Sequence, residues 1–496
     1  MKLRHISLAV AAFLGAAANA YAYNPTAAHD VTVYMSGASA VDNQIAALLD
    51  TQVCEANKDY LNFASGKPNG NYWGISCQTN TLGTKKIASL PANVRVLFIK
   101  RSAGGSAQGV SPLLANQAIA HLDVNSCGGS SPNWSCGSQT NILSDAGISD
   151  VNPEMFRGAN TPAGFAPVNP ADVAANLIVR PVAAQVFGIP VTKLLRDALQ
   201  DAEIKLGKLP NTCAPGNETE ACMPSLSKAQ VTSILAGRVG FWNDVYVDDN
   251  GTQTSLVDFV NAAYRPTDTT VHICRRVDGS GTQAQANANF LGHPCVSTAS
   301  LPAETDDVLN GPRAFLNSGS GDVEKCLADL NDGTNTATAP VVNTDGRTAW
   351  AVGVQGTEKN PTNSKNYRFI KIDGVAPTLE NVWNGKYFDW AELTVQYPKT
   401  GLSANKIALI EHIAAQAANP AAVAALNTST ANHTWGQAGY LALSTAGHTL
   451  DNVFSTANPV LGYTHAPAGA SLDNCRAPTF NPDIAPNSGF TLGLPF

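Results

Sequence analysis

Arg275, Arg276, Asp278, Ser280 and Thr282 fall in one short run, Arg275-Arg276-Val277-Asp278-Gly279-Ser280-Gly281-Thr282. Guanidinium groups, hydroxyls and backbone N–H groups freed by glycine are the donors that bind small oxyanions. The apolar Val271-His272-Ile273-Cys274 before the run reads as a strand, and Gln283 to Leu291 after it as a helix closed by Gly292. A turn between strand and helix aims its N–H groups at the positive end of the helix, so the segment is a candidate anion cradle. Alone, so short a Gly-rich motif fits a surface loop beside two solvated arginines equally well.

Other turns of the same construction lie upstream. Val31 to Met35 alternates as a strand, Ser36-Gly37-Ala38-Ser39-Ala40 turns, and Val41, Ile45, Leu48 and Leu49 share a helical face. Val94 to Arg101 reads as a buried strand running into Ser102-Ala103-Gly104-Gly105-Ser106. Ile148-Ser149-Asp150 is a strand-to-turn transition with a carboxylate at its tip. Ile178 to Pro190 is long enough to cross between two lobes, and Tyr367 to Ile372 is read as the strand that crosses back. Ser227 with Gln230 predicts a capped helix, Thr378 starts another, and residues 405–426 predict an Ala-rich helix pair broken at Asn419-Pro420. Residues 50–93, 123–145, 207–224, 243–270 and 296–345 read as inserted or connecting loops, and the tail from 455 as irregular.

Met1-Lys2-Leu3-Arg4-His5, an apolar stretch from Ile6 to Ala18 and Ala20-Tyr21-Ala22 predict a Sec signal peptide over 1–22, cut after Ala22. No cysteine at that site offers a lipid anchor, and no later run is long enough to span a bilayer. A periplasmic or secreted chain is expected. Ten cysteines suit an oxidising compartment. Their proximity suggests Cys54–Cys77, Cys127–Cys136, Cys213–Cys222 and Cys274–Cys295, leaving Cys326 with Cys475. No paired C-x-x-C spacing supports zinc, and neither metal nor cofactor is expected. A net charge of −7 with only 14% charged residues argues against a nucleic-acid partner, and 44% hydrophobic residues argue against disorder. An acidic protein that binds an anion does so through a local site rather than a global field.

Taken in order, these stretches resemble the periplasmic phosphate-binding proteins of ABC transporters. Arg275 to Thr282 is similar to that family's signature at every fixed position. Ser36 to Ala40, Ser102 to Gly105, Ser149-Asp150, Leu226 to Asp244 (with Gln230, Val231, Gly237, Trp242 and Asn243), and Asp373-Gly374-Val375-Ala376-Pro377-Thr378 resemble its other segments. The resemblance spans about 31 to 390 and fades in the insertions and after 400. It implies an α/β, type II periplasmic-binding-protein-like fold of two lobes around a cleft, elaborated by disulfide-bearing insertions. Residues 23–183 with 365–496 would form lobe I, and 184–364 lobe II. It implies inorganic phosphate as ligand, an ABC permease as partner, a monomeric state and no catalysis. The implied ligand set is Ser39, Ala40, Ser102, Asp150, Arg276, Ser280, Gly281 and Thr282, with Arg275 and Asp278 in support and Asp278 orienting Arg276.

Asp150 is the informative member. An ionised carboxylate only accepts hydrogen bonds, so it favours an anion that carries a proton, as hydrogenphosphate does and sulfate does not. One position departs from the family: Val41, followed by Asp42, stands where a threonine is usual, which removes a hydroxyl unless Ser39 replaces it and leaves arsenate or a phosphate ester as other ligands. Two further readings stand beside the leading one: a phosphatase or phosphodiesterase on the same scaffold, for which no activated nucleophile or metal cluster is legible, and a secreted matrix or surface protein retaining the fold.

Overall fold

The alternation of Val31, Val33 and Met35 with half-buried Thr32 and Tyr34 produces the first strand, β1 (Val31–Gly37). The computed structural model describes residues 24–55, 57–64, 67–79, 85–466 and 471–481; the expected signal peptide lies outside them. Next to β1 run β2 (Tyr72–Thr79), β3 (Val94–Arg101), β4 (Ala146–Ser149) and β5 (Leu177–Gly188). The chain then passes into a second, five-stranded sheet through β6 (Pro190–Thr192), β7 (Asp268–Arg276), β8 (Arg313–Asn317), β9 (Ala349–Gly353) and β10 (Tyr367–Phe369). It returns to the first sheet through β11 (Trp390–Pro398) and β12 (Tyr440–Leu443).

The two sheets share one plan. In the first, β1 pairs in parallel with β3 on one side and β4 on the other, and β4 pairs antiparallel with β11. In the second, β7 pairs in parallel with β8 and β9, and β9 pairs antiparallel with β6. Each sheet therefore has its earliest parallel strand in the middle and receives an antiparallel strand through one of the two crossings. The architecture is α/β, with two sheet-centred lobes, as the resemblance implies. Parallel strands need both faces covered, and helices supply the cover, among them α1 (Asp42–Leu48), α2 (Lys193–Lys205), α3 (Lys228–Leu235), α4 (Gly281–Ala286), α5 (Ser320–Asp332), α6 (Ala404–Ala417) and α7 (Pro420–Thr430). Ser227 and Gln230 form the expected capping box on α3, and Asn419 caps α7.

The crossings come later than the expected lobe boundaries. β5 pairs within the first sheet as far as Val186, and Tyr367–Phe369 is an edge strand of the second sheet rather than the strand that returns. The return is β11, whose buried Glu392, Thr394 and Gln396 break up its apolar pattern. Asp389, just before β11, is fully buried; burial raises its carboxyl to about 6 against the opposing hydrogen bond from Asn289. A raised carboxyl binds its proton more tightly in the native state, so stability falls as pH rises from about 4 towards 6. Asp389→Asn is expected to remove on the order of 3 kcal/mol of that pH-dependent change in denaturant titrations across the same range; an unchanged slope would count against it.

Two regions read as loops are built into the core. Residues 58–61 and 72–79 extend the first sheet beyond β3. Within 296–345 lie β8 and α5, which the polar sequence concealed. This second miss explains a correction to the disulfides. Cys54–Cys77, Cys127–Cys136 and Cys213–Cys222 form as expected, but Cys274 on β7 bonds Cys326 on α5, the helix packed over that strand. Cys295 accordingly pairs with Cys475.

The Cys295–Cys475 bridge ties the lobes together. Cys295 follows α4 in lobe II. The segment around Cys475 is held to lobe I: Asn474 Oδ1 accepts from Asn152 N at 2.6 Å, and its Nδ2 donates to Glu392 at 3.2 Å. Beneath the bridge, Val151, Met155, Phe156 and Phe187 of lobe I pack with Ala284 of lobe II. Replacing both cysteines by serine is expected to increase the radius of gyration of the protein in small-angle scattering. Identical values would show that the bridge does not limit opening.

Candidate functional site

The parallel strands of both lobes run towards the cleft, and the candidate residues follow their C-terminal ends, where such sheets hold ligands. Ser39 lies beyond β1, Ser102 beyond β3, Asp150 beyond β4, and Ser280 beyond β7. The turns are in contact across the cleft. Ala107 N donates to Gly279 O at 2.8 Å, and Thr282 Oγ1 donates to Asp150 Oδ2 at 3.0 Å. Glycine is required where they meet. A Cβ on Gly281 would lie 2.4 Å from Ser106 Oγ and 2.8 Å from Asp150 Cβ, and one on Gly105, whose φ is +76°, would lie 2.8 Å from Ser280 Cα.

Arg276 is buried, 1% exposed, yet meets no carboxylate within ion-pair distance among the described residues. Its guanidinium donates only to neutral oxygens: Asn317 O at 3.2 Å, Ser318 O at 2.7 Å, Ser320 Oγ at 3.2 Å and Ser39 Oγ at 3.3 Å. A buried cation without a counter-ion is unfavourable unless something else supplies the negative charge. Asp150 is the nearest balance in electrostatic terms. Burial pushes its carboxyl up, and the Arg276 charge and the Thr282 hydroxyl pull it down. Its Oδ1 is buried and has no hydrogen-bond partner among the described residues. Ser280 caps α4, accepting from Gln283 N at 3.3 Å. The site thus joins a buried guanidinium, a helix start, a hydroxyl and one unpartnered carboxylate oxygen.

Several expected members take different places. Asp278 does not orient Arg276; it pairs with Arg275 at 2.7 Å, whose guanidinium also donates to Ala303 O and so points away from the cleft. Side chains alternate along a strand, which sends the two neighbouring arginines to opposite faces. Ser102 turns its hydroxyl to Asp42, at 2.7 Å, and receives Lys100 Nζ at 2.9 Å. Ala40 is buried and its carbonyl accepts from Tyr440.

Two residues near the site escaped the sequence reading. Ser320, at the start of α5, reaches Arg276 and lies 3.3 Å from Ser39 Oγ across the cleft. Lys100, fully buried on β3, donates to Gly37 O at 3.2 Å and Ala38 O at 3.1 Å and pairs with Asp42 at 3.4 Å. Burial lowers its ammonium, and the Asp42 charge opposes the shift. Lys100 fastens the first loop to the Ser102 turn. A lysine directly after the apolar Val96–Ile99 run of that strand was the available signal. Asp42, at the departure from the family pattern, is therefore the counter-ion of Lys100. Among the described residues no group of His, Cys, Asp and Glu could hold a metal ion, and no helix is long and apolar enough to cross a membrane.

Two α/β lobes of like sheet order thus meet at the turns that carry these residues. No family model matches the chain, and no curated protein sequence matches it. Solved structures similar to it include a putative phosphate ABC transporter substrate-binding protein with bound phosphate from Clostridium perfringens, at 14% identity over 80% of this chain and 97% of that one, with a TM-score of 0.40. An ABC-type phosphate transport receptor from Vibrio cholerae is 12% identical over 77% and 93%, with a TM-score of 0.35. A phosphate-binding protein from Stenotrophomonas maltophilia is 11% identical over 78% and 84%, with a TM-score of 0.37.

Proposed function

We propose that this chain is an exported solute-binding protein that captures hydrogenphosphate between its lobes and passes it to an ABC-type permease. The observation that carries the reading is Arg276, a buried guanidinium whose partners are all neutral and come from both lobes. An oxyanion there replaces the missing counter-ion. Arg276, Ser39, Ser280, Gly281 and Thr282 surround it, while Ser102 and Lys100 hold the opposite loop in place. Asp150 Oδ1 accepts the proton of hydrogenphosphate, which separates this ligand from sulfate. Neither step breaks a covalent bond, so the role is binding rather than catalysis.

Isothermal titration calorimetry on protein refolded free of prebound anion tests the reading. Phosphate is expected to bind at micromolar protein, with sulfate silent. Absence of heat with phosphate would overturn it.

A further inference from the structure

The Ser39 and Ser320 hydroxyls that flank Arg276 also form one wall of a larger space. A pocket of about 660 Å³ opens from them, lined by Asn43, Lys67 and Asn71 of lobe I and by Asp322, Lys325 and Thr362 of lobe II. Pockets of roughly 300–1,000 Å³ hold organic molecules, so this one exceeds the needs of a bare oxyanion. Its lining mixes amides, carboxylates and ammonium groups, which together donate and accept. Hydroxyl groups do both; hydrocarbon does neither. Lys67 and Lys325 are exposed and have no ion-pair partner among the described residues. Glu358, buried at the back of the pocket, keeps Oε1 without a hydrogen bond and 3.4 Å from Lys359 Nζ.

We propose that the cradle also takes the phosphoryl end of a small polyhydroxylated phosphomonoester, whose hydroxylated remainder lies in this pocket between Lys67 and Lys325. The inference rests on the oxyanion reading of Arg276 and adds the substrate class. The Ser39 and Ser320 hydroxyls, 3.3 Å apart, separate to pass the ester oxygen, which is the atom that joins the two compartments. Asp150 requires one proton on the ligand. A monoester keeps that proton below its second pKa, about 6, so ester and phosphate are compared at pH 5.5. The charges acting on Asp150 are Arg276 and Lys100, with Glu358 on the opposing side.

Calorimetry with inorganic phosphate, glycerol 3-phosphate and glycerol, on the wild type and on Lys67→Ala/Lys325→Ala, tests the proposal. Glycerol 3-phosphate is expected to bind within tenfold of phosphate. The double variant is expected to weaken the ester by about tenfold, from two lysine-to-hydroxyl hydrogen bonds of about 0.5–1.5 kcal/mol each, and to weaken phosphate less than threefold. Phosphate binding without ester binding overturns this inference alone, as does an equal loss for both ligands in the double variant. Silence with both ligands overturns the oxyanion reading and this inference with it.

Discussion

Arg276→Ala is expected to lower phosphate affinity by about 1,000-fold. Truncating one partner of a buried, hydrogen-bonded charge pair costs about 2–5 kcal/mol, and 4 kcal/mol is close to three decades in affinity. The upper part of that range applies because Arg276 is the cation at the centre of the site and its neighbours offer no replacement: Arg275 is committed to Asp278 and Ala303, and Lys100 to Asp42 and the first-loop carbonyls. Arg276→Lys should recover only part of the loss. An ammonium keeps the charge but cannot reach Ser39, Ser320 and a ligand with the fixed fork of a guanidinium. Calorimetry on variants whose circular dichroism matches the wild type provides the check. A loss below tenfold in Arg276→Ala would remove this residue from the ligand site.

Asp150→Asn is expected to reduce the preference for phosphate over sulfate by about 100-fold or more. On the proposed reading, sulfate in the wild type would leave a buried acceptor unpaired, at about 1–3 kcal/mol and more for a charged group. Sites built around one hydrogen bond can discriminate by four orders of magnitude or more. The asparagine amide offers donors in place of the carboxylate oxygen, so a fully ionised tetrahedral anion is no longer refused. Thr282 Oγ1 keeps an acceptor in the amide oxygen, which limits damage to the cleft. Competition titrations of the two anions give the ratio directly, and an unchanged ratio would reject the role assigned to Asp150.

The sequence made the cradle legible because its chemistry is local. Strand, glycine turn and helix follow one another from Val271 to Leu291, and the structure has them in that order, with Gly292 ending the helix in the left-handed region. The capping signals at Ser227 and Asn419 were local too. What could not be read depended on tertiary context. Arg313 to Asn317 is an edge strand paired in parallel with β7, but it is short and sits in an Asn-, Asp- and Gly-rich stretch, so neither it nor the helix carrying Ser320 stood out. β11 was hidden because Glu392 is buried against His465 and Asn474, residues more than seventy positions away that supply its hydrogen bonds. Neighbouring arginines of equal type could not be assigned to faces without the pleat. The last two disulfides followed from the same gap: once α5 is known to cover β7, Cys326 lies beside Cys274, and Cys295 must find a distant partner.

That distant partner would bear on any equilibrium between open and closed lobes. A hinged binding protein divides its population among many open arrangements and few closed ones, and the apparent dissociation constant is the intrinsic one divided by the closed fraction. The covalent tie between Cys295 and Cys475 removes the widest of the open arrangements, and the apolar cluster beneath it favours contact on that side. The closed fraction rises before any ligand arrives. If the chain binds as proposed, its oxidised form is expected to bind more tightly than a reduced one with the same set of contacts, which would make the oxidation state of the compartment part of its affinity.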